Sequence, residues 1–162
     1  MKTSEPLPPL WRCPKCGAQF VSANMSHSCG RYRLEDLFAR SDPGVFRLYE
    51  KLARMVAACG PVVMIPQKTR LVFMVRMRFA AVYPRKSSLR VGLVLGHRLD
   101  GDPRIDKVIE YAPRCIGHEL KITSAGDLDA TLQRWLRAAY DVGAQKDFVR
   151  RGKAARRRPL PP

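Results

Sequence analysis

The residues best suited to chemistry in this 162-residue chain lie near its start: Cys13-Pro14-Lys15-Cys16-Gly17, then His27-Ser28-Cys29. The pattern is C-x2-C, ten residues, then H-x-C. Two thiols on a knuckle bounded by Pro and Gly can aim at one point, and residues i and i+2 of an extended segment face the same side. Cys13, Cys16, His27 and Cys29 therefore form a candidate tetrahedral site, with zinc as the expected metal. A C-x2-C alone also suits a redox dithiol. The H-x-C pair at short range favours the metal. Zinc would supply folding energy to a segment too short to bury a core. With all four positions filled by protein, the site is expected to be structural, because a catalytic zinc keeps one position open.

Phe20 stands where a two-Cys, two-His finger keeps its core aromatic, but the likeness stops there. Only Val21 to Ser26 separate Phe20 from His27. That is too short for a helix that reads bases. The segment is zinc-ribbon-like, and sequence-specific DNA readout does not carry over to it.

The formal net charge is +16, and it is concentrated. Residues 61–100 carry +7 and residues 144–162 carry +6. Charge of this sign attracts polyanions such as nucleic acid. Arg outnumbers Lys 21 to 9, which a GC-rich genome would also produce. The candidate polyanion- or ligand-binding residues are Lys68, Arg70, Arg76, Arg78, Arg85, Lys86 and Arg98, on or beside strand-like segments. Arg76 and Arg78, two apart, are expected to share a face and to present guanidinium forks to phosphate or carboxylate oxygens. The alternative is a solvated face on which Arg stems cover apolar neighbours.

The elements that must position these groups follow from periodicity. Leu34 to Arg40 predicts a short helix. Asp42-Pro43 opens a longer one, with Val45, Leu48, Tyr49, Leu52, Met55, Val56 and Cys59 as one stripe and Gly60-Pro61 as its stop. Val62 to Ile65 reads as a strand. Arg70 to Tyr83 alternates with period two, with Leu71, Phe73, Val75, Met77, Phe79, Ala81 and Tyr83 on one face, and is expected to break near 76–78. Leu89 to Leu95 and Gly117 to Thr123 are further strands, and Arg104 to Lys107 a helical turn. Ser124 and Asp127 predict a capping box that starts a last helix. Its stripe is Leu128, Leu132, Trp135, Leu136, Ala139 and Val142, ending at Gly143. The expected fold is α+β: an antiparallel sheet of about four to five strands with helices packed on one face. The expected organisation is a zinc-binding segment over 1–31, an α+β domain over 32–143 and a basic disordered tail over 144–162.

From about Asp42 to Gly143 the chain resembles the domain of unknown function family DUF5655. The stretches that carry the resemblance include Cys59-Gly60-Pro61, Pro66-Gln67-Lys68-Thr69-Arg70, Arg78-Phe79-Ala80-Ala81, Pro84-Arg85-Lys86, Leu93-Val94-Leu95, Pro103-Arg104, Asp127-Leu128-Asp129 and Trp135 to Gly143. More distantly, the element order is similar to YjbR-like domains. The resemblance implies a fold and no particular activity.

An enzymatic reading rests on Glu119-Leu120-Lys121 with Asp100, Asp102 and Asp106 upstream, a layout that could hold magnesium beside a phosphate. His118 reads as a sheet residue, and Cys59 and Cys115 as small packing residues. There is no Gly-rich phosphate loop and no G-x-S-x-G. The run Met55 to Pro66 is too short and too interrupted to span a bilayer. Cysteine usage and the polar N-terminus point to a soluble, cytoplasmic protein. Two functions remain open: a non-catalytic binding or adaptor protein that engages nucleic acid or an acidic protein partner, and a small anionic-ligand-binding or hydrolytic domain using Lys68, Arg70 and Arg78. The sequence leaves the oligomeric state open.

Overall fold

The computed structural model describes residues 6–27 and 29–146. The proposed disordered tail therefore lies, beyond residue 146, outside the described residues. Two short strands, β1 (Trp11–Arg12) and β2 (Gln19–Phe20), pair antiparallel. After them come α1 (Leu34–Phe38) and α2 (Pro43–Ala57). Six strands follow: β3 (Val63–Pro66), β4 (Leu71–Met74), β5 (Arg78–Pro84), β6 (Leu89–Leu95), β7 (Ile105–Ala112) and β8 (Cys115–Ile122). The chain then forms a 3-10 turn at Ala125–Asp127 and α3 (Ala130–Gly143).

The six strands form one antiparallel sheet in the order β3-β4-β5-β6-β8-β7. The expected four to five strands are thus six, and the turn expected at Arg104 to Lys107 is the entry to β7. The physical reason lies in that strand's sequence. As an edge strand it leaves Asp106, Lys107, Glu110 and Tyr111 exposed, and two register shifts interrupt its alternation. A period of two is not legible through bulges.

The break near 76–78 is present, but the two halves of that run do not keep one phase. Leu71 and Phe73 face the core on β4, whereas on β5 the core residues are Phe79, Ala80 and Val82. The register slips between Phe73 and Met74, which turns Ala81 and Tyr83 to the opposite face. A slip of one residue exchanges the faces of a strand.

Helices α2 and α3 pack on the face formed by Leu71, Val82, Val91, Leu93, Leu120 and Ile122. On α2, Leu52 and Val56 are fully buried; on α3, Leu132, Leu136 and Ala139 are. Each large apolar side chain removed from water contributes about 1.5–3 kcal/mol. Pro43 opens α2 as expected, and Gly60, at φ 144°, ends the segment behind it. The Ser124/Asp127 capping box closes the 3-10 turn rather than the helix. Helix α3 starts one step later, where the Asp129 carboxylate accepts from the Leu132 amide at 2.8 Å. Gly143 is the last residue of α3, and a Cβ there would lie 2.8 Å from Phe79 Cβ. Glycine is needed for this close approach of helix to sheet. Trp135 is half-buried, with the Arg104 guanidinium 5.0 Å from its ring centre.

Candidate metal centre and the open sheet face

The N-terminal segment is built around a knuckle. The Gly17 amide donates to the Cys13 carbonyl at 2.9 Å, and the Cys13 amide to the Ala18 carbonyl at 2.8 Å. Gly17 sits at φ 76°, which a side chain would strain. The loop brings both thiols to one side, and no helix intervenes between Phe20 and His27.

Cys13, Cys16, His27 and Cys29 present ligand atoms that all lie within 4.8 Å of one another. The Cys13 and Cys29 sulfurs are 3.8 Å apart. His27 Nε2 is 3.2 Å from Cys16 Sγ and 3.3 Å from Cys29 Sγ. A tetrahedral zinc with ordinary bond lengths would set sulfurs about 3.8 Å apart and sulfur from nitrogen about 3.5 Å. The donor set and spacing fit a metal ion. His27 Nδ1 lies 2.6 Å from the Met25 carbonyl. That contact puts the ring proton on Nδ1 and leaves Nε2 free to ligate. It also raises the His27 pKa, as does Cys16. The Cys16 backbone amide, more than any other contact, draws the Cys13 thiol down to about 6. Desolvation, then the neighbouring thiols, push Cys29 up to about 11. Phe20 is buried with its ring centre 4.5 Å from that of His27. Among the described residues no other group of three or more Cys, His, Asp or Glu converges in this way.

The residues expected to form a basic face go to several places. Lys68 is exposed in the β3–β4 turn, and Arg85 and Lys86 are exposed in the β5–β6 turn. Arg98 is exposed and pairs with Asp100 at 2.9 Å. Arg76 lies in the β4–β5 connection, where it donates to the Gln145 side chain at 2.9 Å and to the Pro8 carbonyl at 2.6 Å. Arg70 and Arg78 point instead into a cavity of about 350 Å³ on the sheet face opposite the helices.

The floor of this cavity is shallow because Ala81, Gly92 and Gly117 lie on it. Tyr83 and Tyr111 line its sides. Arg70 donates to the Tyr83 hydroxyl at 2.8 Å and to Gln67 at 2.7 Å. Arg78 lies 5.5 Å from the Phe20 ring centre, joining the metal segment to this face. Burial first, then the Arg70 charge, lower the Arg78 pKa. Arg78 also lines a second cavity of about 500 Å³ between the metal segment and β3. The acids of the open face, Glu119 and Asp106, both lie against Arg90, at 3.2 and 3.8 Å. Among the described residues Arg70, Arg78 and Lys121 have no ion pair. Tyr83 and Tyr111 did not stand out in the sequence. The signal that could have found them is glycine inside strands, at 92 and 117, which marks a close approach.

The acids of the magnesium layout do not converge. Asp100 is on Arg98, Asp102 on Arg104, and Asp106 and Glu119 on Arg90. His118 is buried, accepting from the Leu99 amide at 2.9 Å and facing the Ile116 carbonyl at 3.1 Å.

Fold and site define an α+β domain, helices on one sheet face and the other face open, that carries an N-terminal Cys/His cluster able to hold a metal ion. Residues 34–143 match the family described as Domain of unknown function (DUF5655), and the chain belongs to that family. No curated protein and no solved structure matches the chain. No helix among the described residues is long and apolar enough to cross a membrane.

Proposed function

We propose that this chain is a non-catalytic binding protein in which zinc folds the N-terminal segment and the open sheet face takes a polyanion, nucleic acid first. The observation that carries this reading is Arg78. Half-buried and not ion-paired, it shares a cavity with a second arginine. Two such cations in a partly desolvated site favour an anion between them. The net charge of +16 would draw a polyanion to that site. Zinc is the metal of choice because a Cys3His set with closed coordination is typical of structural zinc. Three free ligand thiols suit a reducing compartment such as the cytoplasm. In this reading residues 1–31 are the zinc segment, 32–143 the binding domain and 144–162 a basic auxiliary contact.

Fluorescence anisotropy with a labelled oligonucleotide at two salt concentrations tests the reading. Affinity should fall steeply with salt as counterions are released, and Arg78→Gln or removal of 144–162 should weaken it. Absence of binding at low salt would reject it. Elemental analysis of protein purified without added metal should give one zinc per chain, lost in Cys13→Ser.

The enclosure of Arg70 and Arg78 in one cavity, rather than across a broad surface, favours a second reading. A small anionic ligand would bind there through Arg70 and Arg78, with Lys68 nearby in the β3–β4 turn. Pyrophosphate should then saturate the protein in calorimetry, and oligonucleotide length should not affect affinity.

A further inference from the structure

We infer that the open sheet face binds single-stranded nucleic acid, with bases stacked on Tyr111 and Tyr83 and phosphates held by Arg70, Arg78 and Lys121. This rests on the polyanion reading above and adds what kind of polyanion, and by which contacts.

Tyr111 is 63% exposed, the highest value among the exposed large apolar and aromatic residues of the described chain. It is nonetheless held in place. A Cβ on Gly117 would lie 2.6 Å from its ring, so the hydroxyl end of the ring rests on the backbone of β8. The remainder of the ring stands in solvent on an edge strand. A ring fixed at low entropic cost and left uncovered is a stacking platform. Across the sheet, Tyr83 occupies the other side of the same cavity. Its hydroxyl is tethered by Arg70. A Cβ on Gly92 would stand 4.0 Å from the Tyr83 ring and 3.9 Å from the Ala81 carbonyl, ordinary contact distances, so the Tyr83 ring borders Gly92 and the absence of a side chain there keeps the floor between the two tyrosines low.

Charge completes the pattern. Arg70 and Arg78 flank the Tyr83 side. Lys121 is exposed opposite Arg90 in the β6–β8 pair, on the same face. The two acids here are occupied by Arg90. Aromatic rings between cations on an exposed sheet suit a strand whose bases can splay out. A duplex keeps its bases stacked on one another. Reading it by groove needs a protruding helix or ribbon, and α2 and α3 are packed against the opposite face.

The test uses the full chain with its metal and two fluorescein-labelled probes: an oligodeoxythymidylate, and a duplex of equal length. The single strand should bind about 10-fold more tightly than the duplex. Tyr111→Leu, which still covers Gly117 but removes the π face, should weaken single-strand binding by about 10-fold and leave duplex binding and the salt slope unchanged. Tyr111→Phe should retain wild-type affinity. Equal affinity for both probes, or an unaltered Tyr111→Leu, overturns the stacking inference while the polyanion reading stands. Failure of both probes to bind at low salt overturns both.

Discussion

Replacing Arg104 by Met should cost the domain about 2–3 kcal/mol while leaving its packing intact. The guanidinium donates through Nε and Nη2 to the Asp102 carboxylate at 2.9 and 2.8 Å. Through Nη1 it reaches the Asp127 carbonyl at 2.6 Å and the Asp129 carboxylate at 3.0 Å. It thereby ties the start of β7 to the 3-10 turn and the cap of α3. The Arg104 side chain is 11% exposed and that of Asp102 is 21% exposed. The pair therefore lies between an exposed one, worth about 0–1 kcal/mol, and a buried one, whose disruption costs about 3–5 kcal/mol. Methionine keeps the aliphatic stem and loses the guanidinium, with its cation–π contact to Trp135, so the loss is electrostatic. For a domain of this size the cost corresponds to a melting temperature about 10 °C lower. Circular dichroism of the full chain would measure it. Adding Asp102→Asn should recover about 1 kcal/mol, because the lone variant leaves that carboxylate half-buried without its partner. Arg104 holds the Asp102 pKa below its ordinary value. The pair's contribution is thus present above the unfolded pKa of about 3.9 and lost as pH falls through the lower folded value. Variant and parent should draw closer in acid, where only the bond to the Asp127 carbonyl still separates them. An unchanged melting temperature, or strictly additive effects of the two substitutions, would refute this account of Arg104.

Gly143→Ala should destabilise by about 1–3 kcal/mol, since the new methyl would meet Phe79 Cβ at 2.8 Å and the Met77 carbonyl at 3.1 Å; equal thermal stability would mean that α3 shifts freely. Burial lowers the His118 pKa. Its neutral form therefore supports the fold above the unfolded value of about 6.5, and that support fades as pH drops towards the folded value. His118→Gln should flatten the stability profile in this window, and a parallel profile in urea titrations would count against it. Chelation of the metal should expose 11–31 to limited proteolysis while the unfolding transition of 34–143 persists; joint collapse would show that the sheet depends on the metal segment.

Local chemistry was legible in the sequence, and non-local geometry was not. The Cys/His cluster could be read because its ligands lie within one short loop. Helix α2 was legible from Pro43, its apolar stripe and Gly60. For α3 the stripe was nearly right, but Tyr140 is buried where Val142 was expected, and Trp135 only half so. Strand β7 was hidden by its exposed acids and bulges. Because β8 inserts between β6 and β7, the partner of Tyr111 across the cavity could not be inferred from order alone. The phase change between β4 and β5 had the same effect on Tyr83. It moved that residue from the expected core face to the open one, beside Arg70, and so assembled a cavity that no single segment announces. Arg76 illustrates the converse: a residue singled out by charge is engaged by neutral backbone and amide oxygens.

That engagement of Arg76 has a topological meaning. One guanidinium reaches the carbonyl of residue 8 and the side chain of residue 145. The two oxygens are therefore separated by at most the span of a guanidinium and two hydrogen bonds, roughly 7–8 Å. The described chain is thus nearly a closed ring, clasped at the β4–β5 connection. A short linker from residue 146 to residue 6 could replace the clasp covalently. The break could be moved to the exposed turn at Gly101, where φ is 81° and no atom crowds the backbone. Such a permuted protein would present the metal segment and the open sheet face on a scaffold whose ends emerge beside β7.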